Sequence, residues 1–261
     1  YLAAVQRAIN LIHAGDVFQV NLSQRLLRPA TDNAVRLYLR LRKRTPATFG
    51  GYFDAGNWQV ASASPERYVN IHNRMVESRP IKGTRRQTQQ PEADLFAGFE
   101  LRSSNKDRAE NVMIVDLMRN DLSRVCQADS IHVPQLCGLE TYGYVQHLVS
   151  AVCGKLHKGA SPVDLIEASF PGGSITGAPK VRAMEIISEL EGVARGAYCG
   201  SLGYFGWNGA LDLSILIRTI TQAGGWWQMP VGGGVIADSV PAAELEETWH
   251  KAAGVLSALE R

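Results

Sequence analysis

The chain has 261 residues, a formal net charge of +2 at pH 7, 45% hydrophobic residues and 20% charged residues. That length allows one large domain or two small ones with a sizeable core. A charge so close to neutral does not favour nucleic acid or an anionic membrane as a partner. No apolar run approaches the roughly 18 residues of a membrane-spanning helix.

Cysteine usage and the first residues indicate the kind of protein to which the chain belongs. The four cysteines lie far apart without a C-x-x-C pair. This is typical of reduced, mostly buried thiols in a cytoplasmic protein rather than of disulfides or a zinc site. The polar start does not resemble a signal peptide. Because the sequence opens at Tyr1 directly in a helical pattern, we expect a fragment that lacks an N-terminal part.

Periodicity predicts two helices and several short strands in the first third of the chain. An apolar face repeats through residues 2–12, and Gly15 is a suitable C-terminal stop. The run "DVFQVNLSQRLL" alternates like a strand, and "DNAVRLYLRLRKR" is an amphipathic helix with Asp32 as its candidate cap. Strand-like runs between turn residues follow at "FGGYF", "NWQVASA", "ERYVNIH" and "RMVESRPI".

The longest helical pattern covers residues 104–124. Later, "AYCGSLGYFGW" and "ALDLSILIRTIT" flank Asn208-Gly209, a strong hairpin signal, and a third strand near 226–236 is predicted to extend the same sheet. Strands joined by tight turns, with helices in blocks, predict an antiparallel α+β fold rather than a parallel doubly wound sheet. The other predicted elements are strands near 130–136 and 140–153 and helices near 162–168, after Pro179 and over "PAAELEETWHKAAGVLSALE".

Two glycine-rich segments suggest nucleotide binding, but their details argue against it. "GGSITGAPK" has the glycine spacing of a phosphate loop, yet Ala178-Pro179 stands where a lysine and a hydroxyl residue are required. "GGGVIA" resembles a dinucleotide fingerprint, yet Pro241 delays the next helix and Gly254 stands where an acidic residue is needed. The first segment therefore remains either a backbone anion site before a helix or a plain tight turn.

Two predicted helices each carry a pair of carboxylates three residues apart. Asp107 and Glu110 share a face of the longest helix. Glu244 and Glu247 share a face of the last helix, where Lys251 follows one turn later. Such pairs suit Mg²⁺, which keeps several of its waters. Acidic residues on helices are more often simply solvated, so both interpretations stay open.

Three basic or titratable residues stand in unusual local sequences. His147 and Arg218 interrupt apolar strand patterns and are either satisfied core groups or ligands of a bound molecule. Burying an arginine is costly unless it meets an anion, so Arg218 indicates a carboxylate or phosphate ligand. Lys82 stands in the stiff run "RPIKGTRR" among like charges, which favour a neutral amine if those side chains point inward; a basic surface turn is the alternative.

With these residues collected, a series of motifs resembles the chorismate-utilising enzyme family. The resemblance runs from about Asp16 to the end of the chain. It implies the family fold, an α+β arrangement of two packed antiparallel β-sheets with helices outside, as one chorismate-binding catalytic domain over residues 1–261. The motifs are "SPERY", "PIKGT", "DRAENVMIVDLMRND", "HLVS", "FPGGSITGAPKVRAMEII", "GSLGY", "SILIRT", "GGGVIADS" and "AELEET".

The resemblance also implies the residues of the site. Family members convert chorismate with Mg²⁺ held by two glutamates, which correspond to Glu110 and Glu247. Asp107 and Glu244 would form a supporting acidic shell. The implied substrate-binding residues are Thr176, Arg218, Lys251 and the backbone around Gly233 for the carboxylates, and His147 beside the ring.

Two positions separate the branches of the family. Anthranilate synthase large subunits carry alanine in "PIAGT", where this chain has Lys82. Isochorismate and salicylate synthases place a lysine base in the strand that reads "FQVNLSQR" here, where Gln19 stands. Both departures point to the aminodeoxychorismate synthase branch, in which the lysine is the nucleophile. The alternatives are anthranilate synthase component I and a non-catalytic chorismate-binding remnant.

The mechanism of that branch assigns a role to each group. Lys82 would add to C2 of chorismate while Glu66 of "SPERY" protonates the departing C4 hydroxyl. Ammonia then adds at C4 and expels the lysine, giving 4-amino-4-deoxychorismate for 4-aminobenzoate and folate biosynthesis. Because no cysteine–histidine pairing in the sequence resembles a glutaminase, we expect a separate glutamine amidotransferase subunit to supply the ammonia.

Overall fold

The computed structural model describes residues 1–88, 90–142 and 145–260. The chain divides into two compact units. Unit one comprises Tyr1–Glu66, Ile175–Gly203 and the chain from Ser214 onward, and unit two comprises Arg67–Ser174 and Tyr204–Leu213. Each unit therefore contains segments that are distant in sequence.

Helices and strands alternate in blocks along the chain. The α-helices are α1 (Leu2–His13), α2 (Ala34–Arg44), α3 (Pro91–Ser103), α4 (Asn105–Ser123), α5 (Pro162–Ser169), α6 (Lys180–Glu191) and α7 (Pro241–Ser257). The strands are β1 (Gln19–Pro29), β2 (Gly51–Asp54), β3 (Trp58–Ser62), β4 (Arg67–His72), β5 (Met75–Ser78), β6 (Ile81–Arg86), β7 (His132–Tyr142), β8 (Val145–Lys155), β9 (Gly177–Ala178), β10 (Ser201–Phe205), β11 (Leu211–Ile215), β12 (Thr219–Ala223) and β13 (Trp226–Val235).

The first sheet belongs to unit one and has the order β2-β3-β12-β13-β1-β9. Strands β1 and β13 pair antiparallel over their whole length, and β9 pairs with the start of β1. Helix α6 packs on β1, α7 on β13 and α2 on β3. Val20, Leu22 and Val235 are buried against α1 and α6, while Trp227 is buried in a second cluster with residues of α2 and α7.

The second sheet lies mostly in unit two and has the order β10-β11-β4-β5-β8-β6, with β7 also paired to β8. Helix α4 packs on β8 and β6. Its residues Ile114, Val115, Met118 and Leu122 are buried, which is why the longest helical pattern also looks unusually apolar. Its first turn is capped by Ser104, whose hydroxyl accepts a hydrogen bond from the Asp107 amide.

The predicted α+β class with two antiparallel sheets is confirmed, as are the long helix, the strands β1, β7 and β8, and the helices α5, α6 and α7. The predicted cap of α2 is wrong. Asn33 is the N-cap and accepts from the Arg36 amide, while Asp32 forms an ion pair with Arg40 at 2.7 Å. Helix α3 was not anticipated at all.

The prediction for residues 210–236 needs a larger correction. "ALDLSILIRTIT" was expected to be one strand, but β11 belongs to the second sheet and β12 to the first. Arg218 lies at the break with φ +50°, a left-handed backbone that ends a strand. Strand β13 consequently extends the first sheet, through β12 and β1, instead of the sheet that contains β10 and β11.

Two further expectations concern the whole chain. The cysteines are free thiols; Cys126 and Cys199 are buried, whereas Cys137 and Cys153 are partly exposed. Among the described residues, no helix combines the length and the apolar character that crossing a bilayer requires.

Candidate active site

The predicted site residues divide between the two units, and each set is described within its own unit. In unit two, Lys82 lies on β6 opposite Leu148 of β8. The pairing of β6 with β8 shifts register between Lys82 and Thr84, which marks a β-bulge at Gly83. Bulges re-aim the neighbouring side chain. The Lys82 side chain is 13% exposed, and its Nζ lies 3.8 Å from Oε2 of Glu110.

The bulge depends on glycine at position 83. Gly83 has φ +75°, and a Cβ there would lie 2.7 Å from Cδ1 of Leu101 and 3.0 Å from Cγ of Asp107. Side chains from α3 and α4 therefore press directly against the backbone next to Lys82. This close approach explains the Gly-Thr pair after the lysine: any side chain here would push β6 away from both helices.

The acidic pair of α4 shares one face of the helix, as its spacing predicted, and that face lies toward β6. Glu110 lies beside Lys82, and Asp107 lies 3.7 Å from Arg85. The flanking arginines do not leave Lys82 among unbalanced positive charges. Arg85 also binds Glu100 at 3.1 Å, and Arg79 pairs with the carboxylates of Glu77 and Glu140. The side chain of Arg86 lies outside the described residues.

The predicted ring-facing histidine is part of the same strand pair. His147 lies on β8 opposite Thr84 and is 1% exposed. Its Nδ1 is 2.8 Å from the Thr84 hydroxyl, so the imidazole is tied to the strand that carries Lys82. Its orientation is therefore fixed by the same β6–β8 pairing that positions the lysine.

In unit one, the second acidic pair lies on α7 over the glycines of β13. Glu244 is 5% exposed and accepts a hydrogen bond from the Ser239 hydroxyl at 2.6 Å. Glu247 forms an ion pair with Lys251 at 2.5 Å, one helical turn away. The Lys251 ammonium in turn donates to the carbonyl of Gly232 at 3.1 Å.

These three charged ends converge on the backbone of Gly233. A Cβ at this residue would lie 3.3 Å from Oε1 of Glu247, 3.4 Å from Oε2 of Glu244 and 3.4 Å from Nζ of Lys251. The carboxylates of Glu244 and Glu247 thus lie near the same position beside Gly233, and the ammonium of Lys251 is the cation next to them. Within the described ranges, no three or more His, Cys, Asp or Glu side chains form a ready metal cage. Mg²⁺ needs no such cage, because it is usually held by one or two carboxylates and keeps several waters. The donor set therefore fits Mg²⁺.

Arg218 and Glu66 are the other charged residues of unit one that the sequence indicated. Burial lowers the pKa of Arg218, while the negative charge of Glu66 acts in the opposite direction. Glu66 is 4% exposed, and its carbonyl accepts a hydrogen bond from the Ile215 amide. Arg218 thus lies at a strand break with a left-handed backbone and interacts with the negative charge of Glu66.

Thr176 is held against the start of β1. It is 2% exposed, and its carbonyl accepts from the Asn21 amide at 2.8 Å. The next residue, Gly177, has φ +144°, and a Cβ there would lie 2.1 Å from the carbonyl oxygen of Gln19. The glycine-rich segment therefore makes a close backbone contact with β1 at Gly177, and it also leads into α6.

The sequence did not indicate Arg195 as a site residue. Its guanidinium donates to the carbonyl of Ile175, the residue before Thr176, and to the carbonyl of Asn21 on β1, whose amide donates to Thr176. Arg195 follows the left-handed cap Gly192 of α6 in an irregular stretch, where neither periodicity nor charge pattern distinguishes it from a surface arginine. Only the fold reveals that it is buried.

Comparisons with known proteins identify the family and the fold of the chain. The family model described as chorismate binding enzyme matches residues 1–257. Anthranilate synthase component 1 of Thermus thermophilus is 45% identical over 100% of this chain and 56% of its own length. Aminodeoxychorismate synthase component 1 of Escherichia coli K12 is 45% identical over 96% of this chain and 55% of its own length. The crystal structure of anthranilate synthase component I from Streptococcus pneumoniae has a TM-score of 0.90 at 37% identity, covering 97% of this chain and 56% of that one.

The chain belongs to the chorismate binding enzyme family. It spans about half the length of the curated relatives that it matches.

Proposed function

We propose that this chain is the chorismate-converting part of an aminodeoxychorismate synthase component I, which makes 4-amino-4-deoxychorismate from chorismate and ammonia. The observation that carries the proposal is Lys82, whose largely buried amine is held next to a β-bulge and beside a carboxylate. A surface lysine needs neither the bulge nor the close packing of two helices around it. Relatives named for this activity and for anthranilate synthase are equally similar, so the proposal rests on the lysine.

Lys82 acts as the nucleophile in this proposal. Its amine, in the neutral form that nucleophilic attack requires, forms a bond to C2 of the ring, the two ring double bonds shift, and the C4–O bond breaks. Glu66 donates a proton so that the C4 oxygen leaves as water. Ammonia then forms a bond to C4, the two double bonds return, the C2–N bond to Lys82 breaks, and the new ammonium group returns a proton to Glu66. The sum is exchange of the C4 hydroxyl for an amino group, and the pyruvyl ether is retained.

The acidic pairs supply the metal site in this proposal. Glu110 and Glu247 would hold Mg²⁺, and Asp107 and Glu244 would support them. The metal would supply Lewis-acid polarisation of the ring carboxylate, which favours addition to the ring. Lys251 and Glu247 form an ion pair without the metal. Metal at Glu247 would therefore free the ammonium of Lys251 to meet a substrate carboxylate.

The remaining residues orient chorismate. Arg218, the Thr176 hydroxyl and the backbone around Gly233 bind carboxylates, and His147 lies beside the ring. A carboxylate on Arg218 would also balance the charge of that guanidinium, which interacts with Glu66 in the same unit.

Product analysis tests the proposal. The chain is incubated with chorismate, Mg²⁺ and ammonium chloride, and products are identified by mass spectrometry. We expect 4-amino-4-deoxychorismate without release of pyruvate. Glutamine should replace ammonium only after a glutamine amidotransferase subunit is added. Formation of anthranilate and pyruvate would instead establish the second candidate, anthranilate synthase, which the similarity to the Thermus thermophilus protein supports.

A further inference from the structure

Arg195 makes an unusually complete set of contacts for a residue outside the proposed catalytic groups. Its Nη1 donates to the carbonyl of Ile175 at 3.0 Å, and its Nη2 donates to the carbonyl of Asn21 at 2.6 Å. Its Nε and Nη2 also donate to the two carboxylate oxygens of Glu191 at 2.9 and 2.6 Å. One guanidinium therefore joins the end of α6, the start of β1 and the segment that precedes Thr176.

Glu191 holds the guanidinium in this position. The side chains of Arg195 and Glu191 are only 15% and 5% exposed, so their ion pair is shielded from water. Oε1 of Glu191 also accepts from the amide and the hydroxyl of Ser23, at 2.8 and 2.9 Å. The carboxylate is thereby fixed to β1. Glu191 thus orients the guanidinium of Arg195, which also binds the carbonyls of Ile175 and Asn21.

The two carbonyls that Arg195 binds lie next to the hydrogen bond between Asn21 and Thr176. Asn21 donates its amide to the carbonyl of Thr176 and offers its own carbonyl to Arg195. Ile175 is the residue directly before Thr176. The guanidinium therefore closes a small network in which Thr176 cannot move away from β1 without breaking a charge-assisted hydrogen bond.

We propose that Arg195 is a positioning residue for chorismate, acting through Thr176. The proposal rests on the proposed function, in which the Thr176 hydroxyl binds a substrate carboxylate. Arg195 itself does not touch the substrate. It fixes the position of Thr176 beside β1. The planar guanidinium is required, because a lysine cannot reach both carbonyls and Glu191 at once.

The test compares three variants with the unchanged chain. Arg195→Lys keeps the charge and removes the planar guanidinium. Thr176→Val removes the hydroxyl that the arginine positions, and the double variant combines both changes. Arg182→Lys is the matched control, because Arg182 lies in the first turn of α6, at the opposite end of the helix, and forms ion pairs with Asp16 and Glu185.

We expect Arg195→Lys to raise the KM for chorismate by about tenfold, the range of one charged hydrogen bond, with kcat changed by less than about threefold. The double variant should raise KM no further than Thr176→Val alone, because both changes affect one contact. Arg182→Lys should leave KM unchanged. An unchanged KM in Arg195→Lys, or effects that multiply in the double variant, would overturn the proposal.

Amide hydrogen exchange supplies a readout that does not require chorismate. In Arg195→Lys the Asn21 amide, which donates to Thr176, should exchange at least about tenfold faster, whereas amides within α4 should be unaffected. If the wild-type chain neither binds nor converts chorismate, the proposed function fails whatever this measurement gives. If chorismate is converted but Asn21 exchange is unchanged, the role of Arg195 fails alone. Should Arg195→Lys not fold, Glu191→Gln is measured in the same way, and a change of the same sign is expected.

Discussion

The ammonium of Lys82 lies 3.8 Å from the carboxylate of Glu110, and both side chains are largely buried. The proposed nucleophile and a proposed metal ligand are therefore neighbours within one unit. Because the flanking Arg79 and Arg85 are paired with other carboxylates, Glu110 is the acidic group that balances Lys82.

Replacing Lys82 is expected to remove the activity. Lys82→Ala and Lys82→Gln should lower the rate of 4-amino-4-deoxychorismate formation by at least about 10³-fold, because no other amine replaces the nucleophile. In ammonia-free buffer the wild-type chain should accumulate a covalent adduct on the "PIKGT" peptide, which mass spectrometry detects. The exposed Lys155→Ala is the control and should react normally. An unchanged rate in Lys82→Ala would rule out a required nucleophile at this position.

Gly83→Ala tests whether the bulge positions the lysine. The new Cβ would meet Leu101 at 2.7 Å, in addition to the cost of a left-handed backbone. Gly56→Ala is a matched control, because Gly56 has φ +83° with no atom within 4 Å of its Cβ. We expect Gly56→Ala to cost about 1 kcal/mol of unfolding free energy and to stay active. Gly83→Ala should cost at least about 1 kcal/mol more and lose most of its activity. Equal stability and activity in the two variants, by urea unfolding and rate assays, would contradict this role.

Metal dependence should follow the acidic pairs. Conversion of chorismate should stop in EDTA and return when Mg²⁺ is added in excess. Glu110→Gln and Glu247→Gln should each weaken Mg²⁺ binding, measured by calorimetry, by at least tenfold (about 1.4 kcal/mol). The neighbouring Glu246 is 73% exposed in its side chain, so Glu246→Gln is the control and should bind Mg²⁺ normally. Full turnover in EDTA would remove the metal from the proposal.

The buried thiol of Cys126 predicts a loss of stability at alkaline pH. Burial raises the pKa of Cys126 from 9.0 to about 11. Below pH 9 the thiol is neutral in both states and its contribution is fully present. Between pH 9 and about 11 the unfolded chain loses the proton first, so the unfolding free energy falls as pH rises. In Cys126→Ala the slope of unfolding free energy against pH should be smaller by the equivalent of up to one proton. Urea unfolding across that pH range measures it.

A control separates titration from packing in that experiment. Val163→Ala removes methyl groups at a site that is 54% exposed and does not titrate. It should leave the slope of stability against pH as in the wild-type chain. A slope in Cys126→Ala equal to that of wild type would mean that this thiol does not contribute to the alkaline loss.

The elements with strong local signals could be predicted from the sequence. Helix α4 combines a capping serine, a long helical pattern and an apolar face, and β1 alternates regularly, so each is determined by residues close together in the chain. The acidic pairs of α4 and α7 follow from helical spacing in the same way. Family membership was also readable, because its motifs are short contiguous runs that survive without knowledge of the fold.

Choices between distant partners were decided only by the tertiary structure. Periodicity predicts that residues 211–223 form strand, but it does not specify that β11 and β12 join different sheets, since strand pairing depends on residues far away in the chain. The same applies to charges: Arg79, Arg85 and Arg195 read alike as basic residues in the sequence. The fold pairs the first two with carboxylates. It places Arg195 on the carbonyls of Ile175 and Asn21, because the C-terminal end of α6 meets the start of β1 at that point. Local sequence determines the elements, and long-range packing determines which polar groups face one another.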